Sequence, residues 1–208
     1  MNRKGLVILV VAVLVAGSNA FAQMPEFKLS AGAGGLFVSQ FGGGARNYST
    51  EVKFPYAGGG GFAFFDATFA ELSLGFFAAG GDIKISNNTD WDISYKGLDI
   101  SLLGKYPFAL TEQFTLFPLL GIAYRAFTSV KHDQGNVSKT AGDLSALWFK
   151  LGAGADYAFT DHIFARLGVV YGIRLANKWE KDWASQSLGK ETKLGHGLDV
   201  KLAVGYRF

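Results

Sequence analysis

No cysteine occurs anywhere in the 208 residues. For an exported chain this excludes a disulfide framework, so the fold has to close on itself by other means. Charge is scarce as well: Asp, Glu, Lys and Arg make up 18% of the sequence, with 20 basic against 17 acidic residues. No basic cluster stands out, which argues against nucleic acid as a partner. Histidine is limited to His132, His162 and His196, and no metal-ligand spacing recurs around them. A helical period is missing beyond residue 22. The one long apolar run, Leu6 to Ala16, has about 11 residues where a spanning helix needs roughly 20.

That run fits a different role. Arg3 and Lys4 precede it, and Ala20-Phe21-Ala22 follows as a small-x-small site before Gln23. This is the layout of a secretory signal, with cleavage expected between Ala22 and Gln23. Residues 1–22 are thus read as a signal peptide and 23–208 as one domain. Loss of Arg3 and Lys4 brings the net charge from +3 to about +1.

What remains is rich in rings and glycine: aromatics are 15% of the chain and glycines number 28. Four aromatic-x-aromatic pairs punctuate it, Phe62-Ala63-Phe64, Tyr106-Pro107-Phe108, Tyr157-Ala158-Phe159 and Tyr206-Arg207-Phe208. They recur every 44 to 51 residues, the size of a hairpin, and each reads as the girdle end of a strand. Between them, alternation predicts eight strands at 27–41, 56–65, 69–80, 93–108, 114–128, 144–159, 163–176 and 197–208. The last is the clearest. Leu198, Val200, Leu202, Val204, Tyr206 and Phe208 share one face, while Asp199, Lys201 and Arg207 share the other with Gly197, Ala203 and Gly205.

Energy decides which face is outside. A Lys or Arg facing lipid costs about 2–4 kcal/mol at the midplane, so Lys105, Arg125, Lys150, Arg166, Arg174 and Lys201 together would cost on the order of 10 kcal/mol or more. That equals the stability of a whole domain. The ionised face therefore belongs inside. A soluble lipocalin-like barrel needs the reverse arrangement. The expected fold is all-β: a transmembrane antiparallel up-and-down β-barrel of eight strands. Its lumen would hold Lys28, Glu71, Asp99, Lys105, Arg125, Lys150, Asp156, Arg166, Arg174, Asp199, Lys201 and Arg207. Mixed signs favour a packing of ion pairs over a selectivity lining, because eight strands leave room for little but side chains.

Connections of alternating length give the orientation. Asp66-Ala67-Thr68, 109–113 and Thr160-Asp161-His162 are short and expected in the periplasm. Segments 42–55, 81–92, 129–143 and 177–196 are longer, polar and expected outside, with Trp91, Trp148, Trp179 and Trp183 forming an upper aromatic belt. Strand five is irregular, with Phe117 and Leu119 on the lumen face and Pro118 lacking a ladder donor. A bulge near the rim is expected there.

These features resemble the small eight-stranded outer-membrane barrels of Gram-negative-type bacteria, the OmpX, OmpW and OmpA-barrel group. The resemblance spans the signal and everything after it. Its most specific part is the alternation ending in Val204, Tyr206 and Phe208, similar to the C-terminal signal read by the outer-membrane assembly machinery. It implies residence in outer-membrane lipid and no cofactor. Its members range from adhesins and surface-defence proteins to carriers of small apolar molecules and mainly structural barrels.

Catalysis has little to build on. His132 beside Asp133 sits in a long segment, His162 in a short turn and His196 at the end of the last loop, with no local nucleophile–base arrangement. Gly42-Gly43-Gly44 and Gly58 to Gly61 precede no P-loop helix. Asn47-Tyr48-Ser49, Asn87-Asn88-Thr89 and Asn136-Val137-Ser138 match the glycosylation pattern by chance. Lys178, Trp179, Glu180, Lys181, Asp182 and Trp183 suit either a partner or lipid headgroups. The favoured function is a non-catalytic surface protein with a filled lumen, whose loops 42–55, 81–92, 129–143 and 177–196 meet a host or environmental ligand. A narrow carrier of apolar solutes is the alternative, and an outer-membrane enzyme the third.

Overall fold

The computed structural model describes residues 27–47, 50–53, 55–85, 89–132, 135–136, 141–175 and 191–208. Ala22, Gln23 and the rest of the signal segment lie outside them. Eight long strands follow in order: β1 (Leu29–Gln40), β2 (Tyr56–Ala67), β3 (Ala70–Ile85), β4 (Thr89–Lys105), β5 (Phe114–His132), β6 (Ala146–Ala158), β7 (Ile163–Arg174) and β8 (Gly195–Arg207). Each pairs antiparallel with its sequence neighbours. The sheet closes where β1 meets β8, with Ser30 opposite Arg207 and Val38 opposite Asp199. No edge is left along this wall, which a chain surrounded by lipid requires.

Tracing paired residues once around, from Gly32 through Phe64, Ser73, Ser101, Ala123, Trp148, Arg174 and Gly195, the path returns to β1 level with position 42. The shear is thus ten residues. With strands about 4.8 Å apart and about 3.3 Å per residue, it gives a tilt of roughly 40° and a backbone radius of roughly 8 Å. A cylinder this narrow is filled by its own side chains.

Alternation sorts the faces as the sequence predicts for β3 to β8. Outside lie Leu72, Leu74, Phe76, Leu98, Ile100, Leu102, Phe149, Leu151, Leu167, Leu202 and Val204, all exposed. Inside lie Glu71, Ser73, Asp99, Ser101, Lys150, Asp156, Arg166, Asp199 and Lys201, all buried. The short turns 109–113 and 160–162 are held by threonine: Thr111 Oγ1 accepts from the Phe114 amide at 3.0 Å, and Thr160 Oγ1 from the Ile163 amide at 2.9 Å.

Four expectations are corrected. First, Phe62 and Phe64 do not form a girdle. They point into the lumen at 5% and 4% exposure, while Phe65, at 48%, takes the outer position. Second, the bulge is not near Pro118. The β4–β5 register shifts by one residue between Lys96 and Gly97, which leaves Thr128 as the extra residue, its hydroxyl donating to the Lys96 carbonyl at 3.2 Å. Phe117 and Leu119 do face the lumen. Pro118 pairs with Ala153 on its β6 side. On the β4 side, pairing lapses between Lys105–Leu119 and Phe108–Leu116, so Pro107 and Pro118 share one gap that asks no amide of either. Third, Trp148 is not in an outer belt but is buried in the lumen at 1% exposure. The side chain of Trp91, and Trp179 and Trp183 entirely, lie outside what is described. Fourth, much of the long segments is strand. β3 carries 81–85 and β4 carries 89–92, and 42–55 holds a small hairpin, Gly44–Asn47 with Thr50–Lys53, that joins Glu191–Lys193 to the upper end of β3. Gly135–Asn136 lies within 129–143, and a helical turn at Ala141–Leu144 overlaps its end. Most of 177–196, including Lys178 to Trp183, lies outside the described residues.

Candidate functional site

Because β1 to β8 alternate, with the bulge at Thr128 as the break in β5, every second residue is delivered into the same narrow column. Its lower layer centres on Arg166 of β7. The guanidinium meets Asp156 in bidentate fashion, Nε to Oδ1 at 2.7 Å and Nη2 to Oδ2 at 2.8 Å. Nη1 adds Glu71 Oε2 at 2.8 Å and Asp66 Oδ2 at 2.6 Å. Asp66 also holds Lys105. Three rings enclose the same guanidinium, those of Phe64, Phe117 and Phe164 at 4.6, 5.1 and 5.2 Å. A desolvated cation–π contact is worth up to about 2 kcal/mol, so the rings offset part of the cost of burying the charge.

A middle layer is built on Lys201 of β8. Its ammonium reaches Ser73 Oγ at 2.8 Å, and Ser101 Oγ and Glu71 Oε1 at 3.3 Å each. The upper layer centres on Arg125 of β5, which is 0% exposed. Asp99 accepts from its Nε and Nη2 at 3.0 and 2.9 Å, Asp199 from Nη2 at 3.0 Å, and Tyr56 Oη from Nη1 at 2.9 Å. Lys150 pairs with the same Asp199. Trp148 lies 4.7 Å from Arg125 and 5.1 Å from Lys150. Arg174 is buried above them, against the backbone of Gly195 and Gly43.

The sequence-derived residues therefore fall into two groups. Glu71, Lys105, Asp156, Arg166 and Lys201 meet in the lower and middle layers, and Asp99, Arg125, Lys150 and Asp199 in the upper one, with Arg174 beside it. Lys28 and Arg207 sit instead at the rim near the short turns. Lys28 is exposed, and Arg207, its side chain 24% exposed, lies 3.9 Å from Asp156. Both line a vestibule of about 310 Å³ whose floor is Arg166. Its wall is fastened by Thr68, which accepts from the Lys28 amide at 2.6 Å and donates to the Lys28 carbonyl at 2.9 Å.

Asp66 and Tyr56 belong to the network and were missed. Tyr56 shares a face with Phe62 and Phe64, so reading those rings as outward turns β2 around, while Asp66, on the same face, was read as part of the short turn Asp66-Ala67-Thr68 although β2 runs to Ala67. Apart from Phe117, the ring content of the lumen was missed too. Phe62, Phe64, Phe77, Phe117, Phe127, Phe164, Tyr56, Tyr95 and Trp148 are all buried. Lumen-facing glycines give several of them space. A Cβ on Gly205 would stand 2.3 Å from Phe164, one on Gly154 2.2 Å from Phe117, and one on Gly172 2.7 Å from Trp148.

His162 and His196 lie apart from this column. His196 Nδ1 shares a hydrogen bond of 2.6 Å with Tyr171 Oη, and His162 stacks on Tyr206 with ring centroids 5.3 Å apart. The side chain of His132 is outside what is described. Among the described residues no three His, Asp or Glu converge as metal ligands.

With oily exterior, ionised interior and closure all in place, the family profile is decisive: residues 8–208 match the outer membrane protein beta-barrel domain. The chain belongs to this family. It is a protein of the bacterial outer membrane. As an outer-membrane barrel it is similar in fold to OprG from Pseudomonas aeruginosa, at 15% identity and a TM-score of 0.51 over 88% of this chain and 96% of that one. It is likewise similar to Neisserial surface protein A (NspA), at 10% identity and a TM-score of 0.51 over 86% and 97%. A search of curated protein sequences finds no match. At these identities the likeness concerns the fold.

Proposed function

We propose that this protein is a sealed, non-catalytic barrel, in which the lumen is a structural plug and the outward hairpins do the work of contact at the cell surface. The observation that carries this reading is Arg166, which spans the cylinder with three carboxylates and three rings around it. Arg125 repeats the blockage higher up with Asp99, Asp199, Tyr56 and Trp148. An ion entering the vestibule meets a wall of satisfied charges, not a hydrated path. Material is invested at the other end: β3, β4 and β5 run on for several residues past the apolar band, and the 44–53 hairpin ties them to Glu191–Lys193.

Two further steps belong to this reading. Residues 1–22 act as a signal removed before Gln23. The outward Val204, Tyr206 and Phe208, exposed at 59%, 47% and 73%, present the C-terminal strand to the assembly machinery. The alternative, a narrow carrier for apolar solutes, needs a passage that the paired lumen opposes. Purified protein in planar bilayers tests the choice. A sealed barrel gives no discrete conductance steps, and a deletion strain takes up apolar solutes normally while losing surface contact. Reproducible steps altered by R125Q or K150Q would overturn the reading.

A further inference from the structure

Nearly every described charge inside the barrel is paired, yet four charges on the outer wall are not. The side chains of Lys96, Lys131, Asp82 and Asp92 have no hydrogen bond or ion pair with a described residue. All four project outward from β3, β4 and β5, and their positions are fixed by register. Phe76 faces Leu98 in the last apolar row, exposed at 64% and 39%. Directly above, Ala78 faces Lys96, then Gly80 faces Ser94, then Asp82 faces Asp92. Lys131 stands beside Ser94 on β5. Lys96 is therefore two residues beyond the apolar edge. Along a strand tilted by roughly 40° that is roughly 5 Å, inside the headgroup layer.

The outer face is open at this height. No heavy atom lies within 4 Å of where a Cβ on Gly80 would stand. A recess of about 330 Å³ opens there, bordered by Gly80, Asp82, Asp92, Ser94 and Lys131. Its volume is at the lower end for small-ligand clefts. The patch has no net charge, so it does not suit a simple anion. Amines at the bottom suit a phosphate, and a cross-strand carboxylate pair above them suits the hydroxyls of a sugar. Like charges directly opposite on a sheet are unfavourable unless something bridges them.

We propose that this recess binds the phosphorylated sugar headgroup of a glycolipid in the outer leaflet. Lys131 at the recess and Lys96, one outward row below it, hold the phosphate, and Asp82 and Asp92 accept from sugar hydroxyls. The acyl chains then lie down the apolar faces of Phe76 and Leu98. One lipid molecule is thereby fixed against the β3–β5 wall.

Native mass spectrometry of the folded, detergent-purified protein tests this with three added lipids: phosphorylated lipid A, its phosphate-free form and phosphatidylglycerol. Retention is expected for phosphorylated lipid A alone. The K96Q/K131Q double variant should weaken it about thirtyfold, since each basic residue near a charged lipid surface contributes about 1 kcal/mol. K28Q, at the opposite rim, should retain lipid A unchanged. Equal retention of the phosphate-free form by the unsubstituted protein would overturn the proposal, and that comparison needs no variant to fold. Unchanged retention in folded K96Q/K131Q would overturn it too. So would equal retention of phosphatidylglycerol, because the site would then be a general anion site.

Discussion

At the scale of single residues, the lumen pairs buried guanidinium groups with rings, and rings with glycines. Removing one partner of a buried ion pair costs about 3–5 kcal/mol because the other charge is left without compensation. Arg166→Met leaves Asp156, Glu71 and Asp66 facing only Lys105, Lys201 and the half-exposed Arg207, and should lower unfolding stability by about that amount. Urea titration of the protein refolded in vesicles measures it. The glycines give a sharper contrast. A Cβ at position 205 would lie 2.3 Å from the Phe164 ring, whereas Gly35 has open space outside it. Gly205→Ala should therefore cost about 1–3 kcal/mol by overpacking, and Gly35→Ala should be neutral or slightly stabilising. Equal effects in the same titration would contradict the glycine-seat account.

At the scale of strands, β5 carries the irregularity that keeps the faces straight. Phe127 and Val130 both point inward although they are an odd number apart, and Thr128 absorbs the difference. Deleting Thr128 should leave both faces intact, so the variant should still fold and show heat-modifiable gel migration. Inserting one alanine after Leu120 turns the rest of β5 over and should abolish that migration. Strands were legible wherever charge and aliphatic side chains alternated, as in β4, β6, β7 and β8. They were misread where both faces carried rings: in β2, Phe62, Phe64 and Phe65 offer no polar contrast, and an aromatic pair was taken for a girdle. Lumen charges could be read because burying them in lipid is so unfavourable. Most lumen aromatics could not, since Trp148 or Phe64 is equally acceptable to lipid and to a packed interior. The bulge at Thr128 left no composition signal, while Pro118 drew attention to a place where the ladder simply has no partner to offer.

At the scale of the molecule, shear and strand number leave a cylinder that its side chains must fill, and the sequence fills it with ion pairs braced by rings. The outside is a continuous oily band, and polar contact is moved to the extended strands above it. The claim on which the rest depends is that the ionised face is sealed from both water and lipid. A chain without cysteine allows a clean test by single-cysteine spin labelling along β8, from Leu198 to Tyr206. Even-numbered positions should be accessible to oxygen, the apolar relaxant, and odd-numbered positions between Asp199 and Ala203 to neither oxygen nor a soluble nickel chelate. Nickel access at Asp199 or Lys201 would reveal a water-filled pore, oxygen access there would place charge in lipid, and either result would contradict the account.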